Sequence, residues 1–291
     1  MSKFNGLGVA MVTPFSADGQ VDFNGLENLT NHMIDGGVDY LVVQGTTGES
    51  ATMSPEEKRD ILQAVIQTNA KRLPIVYGIG GNDTRSVAKA MDQPLDGVDG
   101  ILSVSPYYNK PTQGGIIEHY KTIDAATHLP IILYNVPGRT GSNVLGETTL
   151  RIADSCENII AVKEASGNME QVMGIINQSK DGFSVLSGDD ALTLPLLASG
   201  ADGVISVVGN ALPKHFSEMV HSAMKGDMAH ARKRHYELLE IIQLLFIEGN
   251  PAGVKDVLAH LGICGNAVRL PLLTVSQATK DKLKERVDKL I

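Results

Sequence analysis

Short apolar runs recur along the chain at intervals of about 25 to 30 residues, and each is followed by a segment of mixed polarity. Runs of this length, rich in Val, Ile and Leu and bounded by Gly or Pro, are typical of strands buried on both faces of a parallel sheet. The pattern predicts eight strands: GVAMVT (8–13), YLVVQG (40–45), PIVYGIG (74–80), GILSVSP (100–106), PIILYNV (130–136), IIAVKEA (159–165), FSVLSG (183–188) and GVISVV (203–208).

The segments between these runs carry helical periodicity and helix-start signals. In SPEEKRDILQAVIQTNA, Ser54 is placed to cap a helix, Pro55 takes its first position and Glu57 completes a capping box. Strict alternation of strand and helix predicts a parallel sheet, and eight units is the number at which such a sheet closes into a (β/α)8 TIM barrel. A doubly wound open sheet is less favoured, because GIGGN at 78–82 lacks the G-x-G-x-x-G spacing of a dinucleotide site.

The pattern changes after residue 209, where helical segments follow one another without an intervening strand. We therefore predict a barrel catalytic domain over residues 1–225 and a C-terminal helical extension over residues 226–291. No low-complexity linker separates the two, so the extension is expected to pack on the barrel.

Composition narrows the classes of partner. The 291 residues are 43% hydrophobic and 20% charged, which is ordinary for a globular protein. A formal charge of −8, with no basic cluster longer than RKR at 232–234, argues against nucleic acid as a partner. The chain has no apolar run of about 18 residues and no secretory leader, and its two cysteines, Cys156 and Cys264, lie far apart. These features predict a cytoplasmic protein with no membrane partner and with unpaired, buried thiols.

Lys163 interrupts the apolar run of IIAVKEASGN (159–168). A buried, unpaired ammonium is costly, so this lysine either reaches solvent or a carboxylate, or has a lowered pKa that makes it a nucleophile. Because side chains alternate along a strand, Glu164 is expected on the opposite face and is a poor ion-pair partner. Alternation would also place Ile160 and Val162 away from Lys163, which leaves open whether they shield the amine from water.

The carboxyl ends of barrel strands form the catalytic face, and polar residues follow five of the predicted strands. Thr46 and Thr47 lie in a Gly-flanked turn that suits a carboxylate, or they form an ordinary Ser/Thr turn. Arg139 is placed to bind a second carboxylate, or to form a surface salt bridge. Three tyrosines are candidates for proton transfer or for amphipathic filling: Tyr107, Tyr108 and Tyr134.

Metal and serine-hydrolase chemistry have little support in the sequence. The eight histidines make no H-x-H or H-E-x-x-H spacing, and no G-x-S-x-G elbow occurs. Asp189 and Asp190 are candidate metal ligands, but a helix N-cap role is favoured for them. Amine chemistry remains, in which a desolvated lysine attacks a ketone and the resulting iminium acts as an electron sink.

Six ordered motifs, GTTGES (45–50), SPYYNKP (105–111), YNVPGRTG (134–141), VKEASGN (162–168), LSGDD (186–190) and GVISV (203–207), together resemble the dihydrodipicolinate synthase family. The resemblance extends from about residue 6 to the C-terminal helices. It implies a cofactor-independent class I lyase that condenses pyruvate with L-aspartate 4-semialdehyde in diaminopimelate and lysine biosynthesis. It also implies a homotetramer built as a dimer of dimers.

The resemblance implies roles for individual residues. It gives catalytic roles to the Schiff-base lysine Lys163, the general acid/base Tyr134, and the relay residues Thr46 and Tyr108, with Tyr108 reaching into a neighbouring subunit's site. It gives substrate-binding roles to Thr47 for the pyruvate carboxylate, Arg139 for the semialdehyde carboxylate, and Gly188 and Ile205 as pocket lining.

A lysine-binding allosteric pocket is implied around Ser50, Ala51, Asn82 and Tyr107. Other positions depart from the pattern of strongly inhibited family members, which often carry histidines where this chain has Pro55 and Lys58 and a glutamate where it has Ser86. Losing that anion and gaining a cation should both disfavour a dicationic effector, so we predict weak or absent inhibition by lysine.

Sister enzymes supply the main alternative, a pyruvate-dependent aldolase such as N-acetylneuraminate lyase or a 2-keto-3-deoxy sugar acid aldolase. N-acetylneuraminate lyases usually have Ser-Thr in place of Thr46-Thr47 and lack the arginine of the V-P-x-R-T-G turn, and both differences favour the synthase. A catalytically silent barrel is a third hypothesis, and four intact residues argue against it: Lys163, Tyr134, Thr46 and Arg139.

Overall fold

The computed structural model describes residues 3–291, and its centre is a closed barrel of eight parallel strands in chain order. The strands are β1 (Gly6–Ala10), β2 (Tyr40–Val43), β3 (Ile75–Gly78), β4 (Gly100–Val104), β5 (Ile131–Asn135), β6 (Ile159–Glu164), β7 (Ser184–Ser187) and β8 (Gly203–Ser206). The predicted TIM barrel is confirmed. The first strand, however, begins two residues before the predicted GVAMVT run and ends at Ala10 rather than at residue 13.

Helices follow the strands around the barrel, and the last of them comes after β8. They are α1 (Phe23–Asp35), α2 (Pro55–Asn69), α3 (Thr84–Met91), α4 (Gln113–Asp124), the single turn α5 (Pro137–Thr140), α6 (Gly146–Ser155), α7 (Met169–Gln178), α8 (Thr193–Ala198) and α9 (Pro213–Met224). Helix α2 begins with the predicted capping box. The Ser54 hydroxyl accepts from the Glu57 amide, and the Glu57 carboxylate accepts from the Ser54 amide.

Three further helices form the C-terminal extension: α10 (Met228–Phe246), α11 (Ala252–His260) and α12 (Gln277–Leu290). Leu238, Leu258 and Val287 of these helices belong to the same buried apolar cluster as residues of the barrel's outer layer. The extension therefore packs on the barrel as predicted. The expected domain division at residues 225 and 226 falls in the turn between α9 and α10, and it remains a prediction.

Strand β6 contains an irregularity that determines which side chains enter the barrel. Ile131 of β5 pairs with Ile159, but Ile132 pairs with Ala161, so Ile160 is an extra residue in β6. Ile160 and Ala161 both pack against the interior cluster, whereas Val162 packs in the outer layer. Strict alternation, expected along the whole strand, therefore fails at Ile160 and holds for Val162.

A second, smaller cluster fills the barrel interior. All eight strands contribute to it, with members that include Tyr134, Leu186 and Ile205, so the barrel axis is a packed core. The thiols are unpaired, with Cys156 buried and Cys264 half-buried. Within residues 3–291, no helix is long and apolar enough to cross a bilayer.

Candidate active site

Lys163 lies near the carboxyl end of β6, directly across from Tyr134 of β5 in the strand register. Its side chain is only 5% exposed, so it does not reach solvent as one sequence interpretation allowed. The ammonium nitrogen lies 4.3 Å from the centre of the Tyr134 ring. An aromatic face at this distance attracts the cation while excluding water from it.

The surroundings of Lys163 favour its neutral form. Burial lowers the pKa of the amine to about 8, the nearby carboxylate of Asp190 opposes this change, and the Arg139 guanidinium adds to it. A substantial fraction of the amine is therefore neutral in mildly alkaline solution. The structure favours the nucleophilic interpretation of this lysine.

Asp190 is the carboxylate whose charge raises the pKa of Lys163. Its influence on the lysine was not predicted from the sequence. Asp190 begins a 3-10 turn after β7, and one carboxylate oxygen accepts from the amides of Val207 (3.0 Å) and Val208 (2.7 Å). Its other oxygen is buried without a hydrogen-bond partner in the described chain. Burial raises the pKa of Asp190 to about 6, so it remains an anion above that pH.

The helix-cap role expected for the Asp189-Asp190 pair belongs to Asp189 alone. The Asp189 carboxylate accepts from the amides of Ala191 (2.9 Å) and Leu192 (3.3 Å). Across residues 3–291, no group of three or more His, Cys, Asp or Glu side chains is arranged to hold a metal ion. A reaction without metal or cofactor remains a prediction of the sequence.

Tyr134 interacts both with the buried Lys163 and with Thr46 and Arg139, which lie nearer the barrel opening. Burial raises the pKa of its phenol, while the Arg139 cation and hydrogen bonding with the Thr46 side chain both lower it. Thr46 and Arg139 are themselves exposed. The structure thus brings four of the predicted residues, Lys163, Tyr134, Thr46 and Arg139, into one electrostatic group.

Gly188 and Ile205 complete the surroundings of the lysine. A Cβ atom at Gly188 would lie 3.1 Å from Cε of Lys163 and 2.7 Å from Cβ of Ala165, so only glycine leaves the lysine side chain its path. Ile205 is 1% exposed and belongs to the interior cluster with Tyr134. Gly188 therefore lies against the lysine and Ile205 lies in the barrel interior, and their role as pocket lining stays a prediction.

Thr47 lies in the 3-10 turn Thr46–Gly48 that follows β2. It is 3% exposed, and its hydroxyl oxygen accepts a hydrogen bond of 2.9 Å from the side-chain amide of Asn250. The turn is also held by the Thr13 hydroxyl, which donates to the carbonyl of Gly48 (2.8 Å). Asn250 precedes α11, so the C-terminal extension contacts this turn directly.

Glu49 follows the same turn in a left-handed backbone conformation, with φ of 56°. Its carboxylate accepts from the ammonium of Lys255 (2.5 Å) and from the Arg269 amide (3.0 Å). Both side chains of the ion pair are almost fully buried. Asn250 and Lys255 were not predicted from the sequence, because their partners lie about 200 residues away in the chain.

Tyr108 is the one predicted catalytic residue that is not packed in the lysine's surroundings. Its side chain is 87% exposed, its backbone is left-handed with φ of 71°, and its amide donates to the Thr140 carbonyl (3.4 Å). The role inferred for it by resemblance requires a neighbouring subunit. That role stays a prediction.

The four residues of the predicted allosteric pocket lie in surface turns on the carboxyl side of β2, β3 and β4. Ser50 and Ala51 form a 3-10 turn, the Asn82 carbonyl accepts from the Asn109 side chain (3.1 Å), and Tyr107 is 41% exposed. Effector binding at these positions stays a prediction.

The model of the Dihydrodipicolinate synthetase family matches residues 3–290. The chain belongs to this family. A 4-hydroxy-tetrahydrodipicolinate synthase of Parabacteroides distasonis is 51% identical over 97% of this chain and 96% of its own length. The crystal structure of dihydrodipicolinate synthase from Aquifex aeolicus is 42% identical, covers 98% of both chains and superposes with a TM-score of 0.94.

A further family structure was determined with pyruvate bound. The chloride-inhibited enzyme of Acinetobacter baumannii, complexed with pyruvate, is 38% identical to this chain, covers 98% of both chains and superposes with a TM-score of 0.95. The family identified from six sequence motifs is therefore confirmed over nearly the full length.

Proposed function

We propose that this chain is a 4-hydroxy-tetrahydrodipicolinate synthase, a lyase-type enzyme that condenses pyruvate with L-aspartate 4-semialdehyde in the diaminopimelate route to lysine. The observation that carries the proposal is Lys163, a buried amine with its pKa lowered to about 8, set against the Tyr134 ring at the catalytic end of the barrel. The relatives' shared name supports the choice of substrates.

The chemistry begins at the lysine nitrogen. Neutral Lys163 attacks the ketone carbon of pyruvate, and the carbinolamine loses water to give a protonated imine. This cation acidifies the adjacent methyl group, a base of the site takes one of the methyl protons, and the enamine that forms attacks the aldehyde carbon of the semialdehyde. Attack of the product's own amine on the imine carbon then closes the ring and frees Lys163.

The other residues handle protons and carboxylates. Tyr134, with the phenol held between the lysine and Thr46, supplies and removes protons at the carbinolamine and at the new alkoxide. Thr47 holds the pyruvate carboxylate, Arg139 holds that of the semialdehyde, and Gly188 and Ile205 shape the pyruvate pocket. Tyr108 completes the relay from a neighbouring subunit of a homotetramer. The site operates without a cofactor, and the enzyme is cytoplasmic.

Trapping of the imine tests this proposal directly. Borohydride reduction in the presence of pyruvate should add one reduced pyruvate unit to the peptide that contains Lys163, as measured by mass spectrometry. The Lys163→Met variant should remain unmodified. A wild-type protein that gains no such adduct contradicts the mechanism.

Substrate choice needs a second assay, because sugar-acid aldolases use the same imine. Turnover should be measured with aspartate semialdehyde plus pyruvate, with N-acetylneuraminate, and with 2-keto-3-deoxygluconate. The Thr46-Thr47 pair and Arg139 favour the first reaction. Faster cleavage of either sugar acid would assign the chain to a sister activity.

A further inference from the structure

The turn that carries Thr47 is tied to the C-terminal extension at two points. Asn250 donates to the Thr47 hydroxyl, and Lys255, five residues later, forms the buried ion pair with Glu49. Glu49 lies two residues after Thr47, so each tie fixes one end of the same short segment. Neither partner in the extension touches Lys163 in the described contacts.

The ion pair between Glu49 and Lys255 is the more strongly held of the two contacts between the turn and the extension. The Lys255 ammonium also donates to the Ala267 carbonyl (2.7 Å) and lies 4.2 Å from the centre of the Phe15 ring. The second Glu49 oxygen accepts from the Arg269 amide. These contacts satisfy the buried charges and hold the turn against the extension whether or not Asn250 is present.

The hydrogen bond from Asn250 determines which way the Thr47 hydroxyl proton can point. A threonine hydroxyl has one proton to donate and lone pairs that accept. Because the Asn250 amide occupies a lone pair of Thr47, the hydroxyl proton is left free to point elsewhere. A hydroxyl held in this way is preorganised as a donor, which is what a bound carboxylate requires.

We propose that Asn250 is a positioning residue that orients the Thr47 hydroxyl as a donor to the carboxylate of the 2-oxo acid substrate. The inference rests on the proposed function, since it assumes that Thr47 binds pyruvate. It makes the C-terminal extension part of the substrate site rather than only a cover for the barrel. It also predicts that substitution of Asn250 changes the KM for pyruvate but not the KM for the semialdehyde.

The test compares two substitutions of similar size. Asn250→Leu removes the donor and should raise the KM for pyruvate about tenfold, the loss typical of a hydrogen bond to a charged group. Asn250→Asp reverses the bond, because its carboxylate accepts the Thr47 proton and repels the substrate anion. The pyruvate KM of Asn250→Asp should therefore rise further than that of Asn250→Leu. If Asn250 had a purely structural role, Asn250→Asp would be the milder change, because aspartate is closer to asparagine in shape.

A double-mutant cycle tests whether Asn250 acts through the Thr47 hydroxyl. Thr47→Val deletes the hydroxyl, and in that background Asn250→Leu should change the pyruvate KM by less than about twofold, because nothing is left to orient. The KM for the semialdehyde should stay within about twofold of wild type in all Asn250 variants. Asn266→Leu is the matched control, since the Asn266 side-chain amide donates to Asp256 within the extension (3.0 Å).

Two results would overturn the positioning role. One is a pyruvate KM within twofold of wild type in both Asn250 variants, and the other is an Asn250 effect that persists in full beside Thr47→Val. If Asn250→Leu does not fold, as judged by circular dichroism, Asn250→Asp alone decides in the same way. Imine trapping in the wild type is done first, so that failure of the proposed function is distinguished from failure of this inference.

Discussion

The ammonium nitrogen of Lys163 lies over the face of the Tyr134 ring, 4.3 Å from its centre. The strand register creates this relationship, because β5 and β6 pair these two residues directly. The ring that excludes water from the amine also carries a hydroxyl group. Under the proposed mechanism, a single side chain therefore supplies both shielding and proton transfer.

Imine formation with pyruvate should follow the ionisation of Lys163. Only the neutral amine attacks a ketone, so the rate of adduct formation should rise with pH and reach half its maximum near the pKa of about 8. Borohydride trapping after short incubations at a series of pH values measures this. A midpoint close to 10.5, the value of an unperturbed lysine, would show that burial does not tune the amine.

Two charges near Lys163 should shift that midpoint in opposite directions. Asp190 is an anion above pH about 6 and favours the ammonium, so Asp190→Asn should move the midpoint to lower pH. Arg139 disfavours the ammonium, so Arg139→Leu should move it to higher pH. Both are measured with pyruvate alone, which removes the second substrate's need for Arg139. Shifts of the same sign in the two variants would contradict this electrostatic assignment.

Tyr134→Phe should distinguish the contribution of the ring from that of the hydroxyl. The packing against Lys163 is kept, but proton transfer is lost, so turnover should fall by about 10² to 10⁴-fold. Tyr120→Phe is the matched control, because the Tyr120 hydroxyl donates to the Ser103 carbonyl (2.9 Å) away from the lysine. It should lower the free energy of unfolding by about 1 kcal/mol and leave turnover unchanged. Equal losses of turnover in the two variants would argue for a general packing defect.

The buried ion pair between Lys255 and Glu49 should dominate the stability of the extension. Lys255→Met leaves the Glu49 carboxylate buried without its cation, and should lower the free energy of unfolding by about 3–5 kcal/mol. Adding Glu49→Gln should recover part of that loss. The exposed pair of Lys121 and Glu118 (3.0 Å) gives the comparison, where Lys121→Met should cost less than about 1 kcal/mol. Denaturant titration measures all three variants.

Lysine should inhibit turnover weakly or not at all. Ser86 stands where an effector's amines would need an anion, and its hydroxyl donates to Asp83 (2.5 Å). Lys58, which stands where inhibited family members often carry a histidine, adds a cation that should disfavour a cationic effector. Initial rates measured against rising lysine concentrations check this, with the Lys58→His and Ser86→Glu double variant as a gain-of-sensitivity comparison. A sub-millimolar inhibition constant for the wild type would contradict the prediction.

The barrel and the buried lysine at the end of its sixth strand could be predicted from the sequence, because the signals for them are local. Strand, turn and helix-cap signals each lie within a few residues, and the carboxyl ends of parallel strands must share one face. Lys163, Tyr134 and Arg139 could therefore be grouped before any coordinates were known. The extra residue at Ile160 escaped prediction, because a bulge depends on the register with β5.

The supporting residues could not be found in this way. Asn250 and Lys255 carry no motif in their own segment, and their partners Thr47 and Glu49 are more than 200 residues distant. Asp190 was visible as one of a pair of acids, but which member caps the turn and which turns toward the lysine depends on tertiary packing. Pairings between remote segments arise only when the chain is folded.

The tie between Asn250 and Thr47 also sets an order of events during synthesis of the chain. A ribosome makes Lys163 and every barrel strand before it reaches residue 250, so the barrel can close around a reactive amine while the Thr47 turn still lacks both of its ties. Under the role proposed for Asn250, residues translated after the barrel complete the carboxylate site. We therefore expect a chain truncated before residue 250 to carry Lys163 but to bind the 2-oxo acid weakly.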